Sequence, residues 1–172
     1  MYRHIKESYN KQDFIGTRAV LEDGSLGEYE YESYTRIIEQ AENLGSGLTY
    51  LKLCPEVNDF QDYYCRFIAV FSPNIPMWYK LDITTLLYGF TIVPLNNTLN
   101  PDSIAHVLNL SKIETLALHS MYEKKIVLLK AQGKLPYLKN IISMNNRTLK
   151  DSKKLFHVFT ANQIIQEGSR HP

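Results

Sequence analysis

Apolar residues recur at helical spacing in one long segment near the start of the chain. The stripe predicts an amphipathic helix from Tyr34 to about Leu51, with polar residues on the opposite face and Ser33 as its N-cap. Gly45 and Gly47 lie on the apolar stripe and lower helix propensity. We therefore expect either a close packing contact or an early helix end at these two glycines.

Four short runs are apolar without a helical period, which is typical of strands covered on both faces in a parallel sheet. These predicted strands are Phe67–Phe71, Thr91–Val93, Thr115–Leu118 and Asn140–Ser143.

Helix-start and helix-stop residues separate the predicted strands. A second helix is expected from Pro76 to Tyr88, with Asn74 as a candidate cap and Gly89 ending it, and a third with Asn100 as cap and Pro101 at its first position. A fourth is predicted from the capping box Ser120-x-x-Glu123 to about Gly133. The capping box Thr160-x-x-Gln163 opens a fifth, and Gly168 is predicted to follow that helix.

Residues 14–31 predict a β-hairpin, because two short apolar runs flank an Asp23-Gly24 turn signal. Loops are expected from Cys54 to Asp62 and from Asn145 to Lys154. Strands alternating with helices predict an α/β fold: a three-layer, mostly parallel sheet with helices on both faces, preceded by a β-hairpin.

Composition narrows the functional classes. The 172 residues carry a net charge of +1 with no basic stripe, so we expect no nucleic-acid partner. Cys54 and Cys65 form no C-x-x-C pair, which predicts reduced thiols in an intracellular protein. The most apolar stretch, Leu81–Leu95, is interrupted by Asp82 and is too short to span a bilayer. We expect no transmembrane segment, while peripheral membrane contact stays compatible with the sequence.

Recognisable catalytic motifs are missing from the sequence. No nucleophile elbow or glycine-rich phosphate loop occurs, and Gly45-Ser46-Gly47 lies within a helix stripe. None of the five histidines has a metal-ligand neighbour. His119 stands out because it follows a strand and precedes a helix, where open α/β sheets bind ligands. Asp82, on a mostly apolar helix, is expected to have a structural partner. We predict no catalytic, cofactor-binding or metal-binding residue in this chain.

Several segments together resemble the long-chain acyl-CoA synthetases, a branch of the AMP-forming, adenylate-forming ligases. The resemblance covers about residues 14–168 and depends on the order and spacing of its segments rather than on any one of them. The segments that carry it are Phe14-Ile15-Gly16-Thr17-Arg18, Tyr29–Tyr34, Asn43–Leu48, Asn74-Ile75-Pro76-Met77-Trp78, Val93–Pro101 and Gln163–Gly168.

The resemblance implies a function that this chain would serve only in part. Such ligases activate a fatty acid with ATP and Mg²⁺ as an acyl-adenylate, then transfer the acyl group to coenzyme A. It implies a domain organisation in which residues 1–13 are an N-terminal extension. Residues 14–172 would then be a partial AMP-binding domain that ends before the ATP-phosphate loop. None of the family's catalytic motifs matches a position here, so the chain alone is predicted to be inactive. The implied location is cytoplasmic, or peripheral on the endoplasmic reticulum or another lipid-handling membrane.

Departures from the family pattern leave alternatives open. Tyr31 replaces the usual Trp, Met77 the usual Glu, and Asn96, Asn97 and Asn100 replace Tyr, Asp and Gly. These changes suit a divergent ligase, but also a non-catalytic, truncated relative that acts as a binding or interaction module. An unrelated doubly wound nucleotide-binding domain is the third interpretation, and the missing glycine fingerprint argues against it.

Overall fold

A computed structural model describes residues 8–60 and 63–172 of the protein. Strands β1 (Asp13–Val20) and β2 (Leu26–Ser33) pair antiparallel as a separate two-stranded sheet, which confirms the predicted hairpin. Gly24 has a φ of 83°, a left-handed conformation that glycine adopts without a steric cost, and its N–H donates to the Leu21 carbonyl.

A six-stranded main sheet and five helices follow the hairpin. The strands are β3 (Glu56–Phe60), β4 (Tyr63–Phe71), β5 (Thr91–Pro94), β6 (Thr115–Leu118), β7 (Asn140–Ser143) and β8 (His157–Thr160). The helices are α1 (Tyr34–Tyr50), α2 (Pro76–Tyr88), α3 (Pro101–Leu110), α4 (Glu123–Ala131) and α5 (Ala161–Arg170), and short 3₁₀ turns occur at Ser120–Tyr122 and Ser152–Lys154. The pairing is parallel throughout β5, β4, β6, β7 and β8, and β3 joins β4 antiparallel.

Two hydrophobic clusters, one on each face of the sheet, make the fold a three-layer one. Successive residues of a strand point to opposite faces, so Ala69 and Phe71 of β4 pack with α3 and α4, while Ile68 and Val70 pack with α1, α2 and α5. This arrangement confirms the predicted mostly parallel sheet covered by helices on both sides.

Helices α1 and α5 approach each other very closely. A side-chain carbon added to Gly47 would overlap the Ile164 carbonyl, and one added to Gly168 would overlap the Asn43 carbonyl. Gly45 similarly meets the ring of Tyr88. The expected packing contact at Gly45 and Gly47 is confirmed, and α1 continues through both residues to Tyr50.

The loop predicted from Cys54 to Asp62 is wrong over much of its length, because Glu56–Phe60 forms strand β3. Val57 is half-buried between exposed Glu56 and Asn58, the alternation of a half-covered edge strand. Its sequence is polar and acidic and contains no continuous apolar run, which is why the pattern predicted a loop. Residues 61 and 62 lie outside the described part of the chain.

Several helix boundaries differ from the prediction. Ile75 rather than Asn74 is the N-cap of α2, without a side-chain hydrogen bond. Gly168 does not follow α5 but lies inside it. The residue is a glycine because a side chain there would overlap the backbone of α1. The predicted loop 145–154 contains one 3₁₀ turn, and strand β8 after it was not predicted.

The capping box predicted at Ser120 and Glu123 does not form. Ser120–Tyr122 is a 3₁₀ turn capped by the His119 side chain. The Glu123 carboxylate instead accepts the backbone N–H groups of Asp151 and Ser152, at 3.1 and 2.9 Å. By contrast, Ser33, Asn100 and the Thr160–Gln163 box cap their helices as predicted.

Over residues 8–60 and 63–172, no helix combines the length and apolarity needed to traverse a bilayer.

Candidate functional site

The sheet has a topological switch point at β4, where successive strand connections run to opposite sides. The chain passes from β4 through α2 to β5 on one side, then returns through α3 to β6 on the other side of β4. In open α/β sheets such a reversal leaves a crevice at the carboxyl ends of the strands, which is where ligands bind. The carboxyl edge of this sheet is therefore the candidate site.

A small cleft of about 290 Å³, which we call the switch-point cleft, lies at this reversal. Its lining comes from the ends of β4 and β5 and includes Phe71, Asn74, Asn96 and Asn97, with Tyr122 from beyond β6. The Tyr122 ring stacks on Phe71, with ring centroids 4.0 Å apart. The cleft thus combines an aromatic wall with amide side chains.

A larger cleft of about 680 Å³, the hairpin cleft, lies between the hairpin, α1, the start of α2 and the loop after β7. Lys80 lines it although the residue is only 5% exposed. Its ammonium donates to both carboxylate oxygens of Glu32, at 2.8 and 2.9 Å, and Arg36 Nε lies 3.4 Å from the same carboxylate. A buried ammonium requires such a partner, so the Lys80–Glu32 pair fixes the hairpin against α2.

Asparagines form the opposite wall of the hairpin cleft. Asn146, with a φ of 56°, accepts the backbone N–H of Asn162 at 2.9 Å. Asn145 lines the cleft too, and its side-chain amide donates to Ser120 Oγ at 2.9 Å. These contacts join the loop after β7 to the segment after β6 and to the first turn of α5.

His119 has a structural role at this edge. Its backbone N–H donates to the Phe71 carbonyl at 3.0 Å, and its Nδ1 accepts the Met121 N–H at 3.3 Å. Desolvation, and secondarily the charge of Arg147, lower the pKa of the imidazole. The side chain lines neither cleft.

The buried charge on α2 is Lys80 and not Asp82, for which the sequence predicts a structural partner. Asp82 is only half-buried, whereas Lys80, two residues earlier, is the buried charge. Its signal was a lysine directly before Leu81, where the most apolar stretch of the chain begins. Its partner Glu32 could not be found, since pairing across 48 residues depends on the tertiary fold.

The two clefts offer amides, hydroxyls and one ion-paired cluster, which are groups suited to binding. Within residues 8–60 and 63–172, no group of three or more His, Cys, Asp or Glu side chains could hold a metal ion. Burial raises the pKa of the Cys54 thiol from 9.0 to about 12, which disfavours the thiolate. The prediction that this chain carries no catalytic residue remains a prediction.

The family model for AMP-binding enzymes matches residues 9–167. The chain belongs to this family. The adenylation domain of a carboxylate reductase from Mycobacterium chelonae superposes with a TM-score of 0.76 at 15% identity, covering 99% of this chain and 29% of that one. A long-chain-fatty-acid CoA ligase, described as putative, from Rhodopseudomonas palustris gives 0.65 at 20% identity, covering 95% and 34%. These likenesses confirm the fold.

Curated relatives belong to the branch that the sequence resembles. Long chain acyl-CoA synthetase 7, peroxisomal, from Arabidopsis thaliana is 27% identical over 81% of this chain and 18% of its own length. Long-chain-fatty-acid–CoA ligase 6 from Homo sapiens is 32% identical over 68% of this chain and 16% of its own. Fatty acyl-CoA synthetase A from Dictyostelium discoideum is 32% identical over 74% and 17%. The chain thus spans less than a fifth of each of these relatives.

Proposed function

We propose that this chain forms the front part of a long-chain fatty acid–CoA ligase. The observation that carries the proposal is the family match along residues 9–167, together with relatives named as long-chain acyl-CoA synthetases or ligases. In this role residues 14–172 are scaffold: a parallel sheet whose carboxyl edge presents two clefts toward the reacting molecules.

Fatty acid, ATP and coenzyme A are the proposed ligands of the whole ligase, with Mg²⁺ on the phosphates. Phosphoryl displacement requires cationic groups and converging N–H donors around the phosphates. The sequence contains no glycine-rich motif to supply them, and the chain spans 16 to 18% of the relatives' lengths. We therefore assign adenylation chemistry to residues outside these 172, and expect the chain by itself to be inactive.

A chimera tests this assignment. Residues 14–168 replace the matching segment of the human ligase 6, and ATP-dependent formation of palmitoyl-CoA is measured. We expect activity, because the segment supplies the same sheet and clefts. The matched control carries Gly168→Val, which would overlap the Asn43 carbonyl and prevent α5 from docking on α1. A folded chimera without activity would contradict the proposal.

A second experiment uses the purified 172-residue chain by itself and tests whether it catalyses adenylation. We expect no palmitoyl-CoA and no ATP–pyrophosphate exchange above the level of an enzyme-free control. Measurable turnover would show that the adenylation machinery is present in this chain.

A non-catalytic binding module is the second candidate, and one observation favours it. The residues that depart from the family pattern include Met77 in the hairpin cleft and Asn96 and Asn97 in the switch-point cleft. Changes concentrated in the clefts suit altered binding. Displacement of a fluorescent fatty acid by palmitate from the chain alone, combined with an inactive chimera, would support this candidate over the ligase.

We also propose an intracellular location for the protein, supported by the free thiols of Cys54 and Cys65. A fluorescent fusion followed by fractionation tests whether it is cytoplasmic or associated with the endoplasmic reticulum.

A further inference from the structure

A basic depression of about 390 Å³ lies at the edge of the sheet opposite the candidate site. Strands β7 and β8 are parallel, so their amino ends meet at this edge, far from the two clefts at the carboxyl ends. Cationic or titratable side chains line it from four places along the chain: Lys130 in α4, Lys139 before β7, Lys153 and Lys154 in the second 3₁₀ turn, and His157 at the start of β8. The described residues contribute no acidic side chain to this lining.

Lys130 forms the innermost charge of the depression. Its ammonium donates to the carbonyls of Leu135 and Leu138, at 2.9 and 2.6 Å, and lies 5.3 Å from the ring centroid of Phe156. These partners position the group but carry no compensating negative charge. Desolvation lowers the pKa of Lys130, as expected for an ammonium held among neutral groups. An anion would supply the missing counter-charge.

The remaining lysines differ in how well they are neutralised. Lys139 is paired with Glu114 at 2.6 Å. Lys153 and Lys154 are exposed and form no ion pair within the described residues. These two unpaired lysines and the partly buried Lys130 line the same depression, so their charges give it a positive field.

We propose that this depression binds phosphate-bearing anions. Lysines are point-charge ligands for phosphate and do not demand the planar geometry that guanidinium groups impose. Among the apolar lining residues Leu155 is 39% exposed, which adds an apolar contact for the glycerol or acyl part of a lipid. Either an anionic lipid headgroup or a free phosphate compound presents the required chemistry, and the proposal is independent of the ligase assignment.

Vesicle flotation and phosphate titration test the proposal with the full chain. The probes are phosphatidylcholine vesicles with and without phosphatidic acid, and inorganic pyrophosphate followed by calorimetry. The variant Lys153→Gln/Lys154→Gln removes two charges from the depression. The control Lys11→Gln/Lys124→Gln removes two exposed charges that do not line it, so both variants have the same net charge.

We expect the Lys153/Lys154 variant to lose about tenfold to thirtyfold in affinity, and the control to change by about twofold or less. Raising the salt concentration should weaken binding of the natural chain. Loss with acidic vesicles alone identifies a lipid headgroup, and loss with pyrophosphate too identifies a site for free phosphates. Equal losses in both variants, or no binding of either probe by chains with native circular dichroism, would overturn the proposal.

Discussion

At the scale of single residues, the Lys80–Glu32 pair shows how burial determines the cost of a charge. The Lys80 side chain is 7% exposed and the Glu32 side chain 25%. Glu32 also has Arg36 nearby and contact with solvent, so its carboxylate remains stabilised in the ionised form when Lys80 is removed. Lys80 has no second carboxylate among the described residues.

This asymmetry predicts that Glu32→Gln destabilises the chain more than Lys80→Met. The first variant leaves a buried ammonium unneutralised, at a cost of about 2–4 kcal/mol, while the second replaces the stem with an apolar chain of similar length and costs about 1 kcal/mol. Urea denaturation followed by circular dichroism measures both. The reverse order would show that Lys80 is solvated in the folded chain.

Cys54 predicts a loss of stability at alkaline pH. Its folded pKa of about 12 lies above the ordinary 9.0, so the folded state retains the proton more tightly than the unfolded state. The resulting stabilisation is complete below pH 9.0 and declines as pH rises toward 12, by up to about 1.4 kcal/mol per pH unit.

The Cys54→Ala variant should lack this part of the alkaline decline, although it starts from a lower stability because of the cavity. The measurement is the difference in unfolding free energy between natural chain and variant at pH 8 and about pH 10. Cys65 is half-buried, so Cys65→Ala provides the control. Parallel curves for the natural chain and Cys54→Ala would contradict the prediction.

At the scale of helices and strands, close docking of α1 on α5 depends on glycine. We expect Gly168→Ala to destabilise the chain by about 1–3 kcal/mol, because the added methyl must displace the backbone at Asn43. Ser169→Ala, on the exposed side of the same helix, should change stability by less than about 0.5 kcal/mol. Thermal unfolding of the three proteins provides the comparison, and equal melting temperatures would show that the helices separate easily.

The side-chain contacts of Glu123 in α4 and of Thr160 at the start of α5 provide another prediction at this scale. Glu123→Ala removes the acceptor of two backbone N–H groups and should cost about 2 kcal/mol. Thr160→Ala breaks an ordinary capping box and should cost about 1 kcal/mol. Hydrogen exchange localises both effects: the first should expose residues 151–152 and the second the start of α5. If Glu123→Ala costs less than Thr160→Ala, the contacts to Asp151 and Ser152 are weak in solution.

At the scale of the whole molecule, the layered sheet was predictable because local patterns and global packing agree. Continuous apolar runs such as Leu116–Leu118 require cover on both faces, and the two hydrophobic clusters provide it. β3 and β8 were missed, because each is short and its half-buried positions give no continuous apolar run, although both pair with strands nearby in sequence. The clefts could not be predicted from the sequence either, because their walls come from separate segments that only the fold brings together.

The parallel direction of the strands places the candidate clefts and the basic depression at opposite edges of one sheet. A chain that binds a bilayer through the amino edge of β7 and β8 would direct its carboxyl edge away from the surface. The two activities proposed for this protein therefore require no shared residues, and a variant of either edge can be judged separately.

The contact between α1 and α5 joins residues that are far apart along the chain, since Gly47 packs on Ile164. A ribosome completes α1, β4 and α2 long before α5, so the part of α1 that α5 covers stays exposed through most of translation, although β4 and α2 can already pack on the rest. Nascent chains halted before Ala161 should consequently recruit a chaperone that chains extended beyond α5 release.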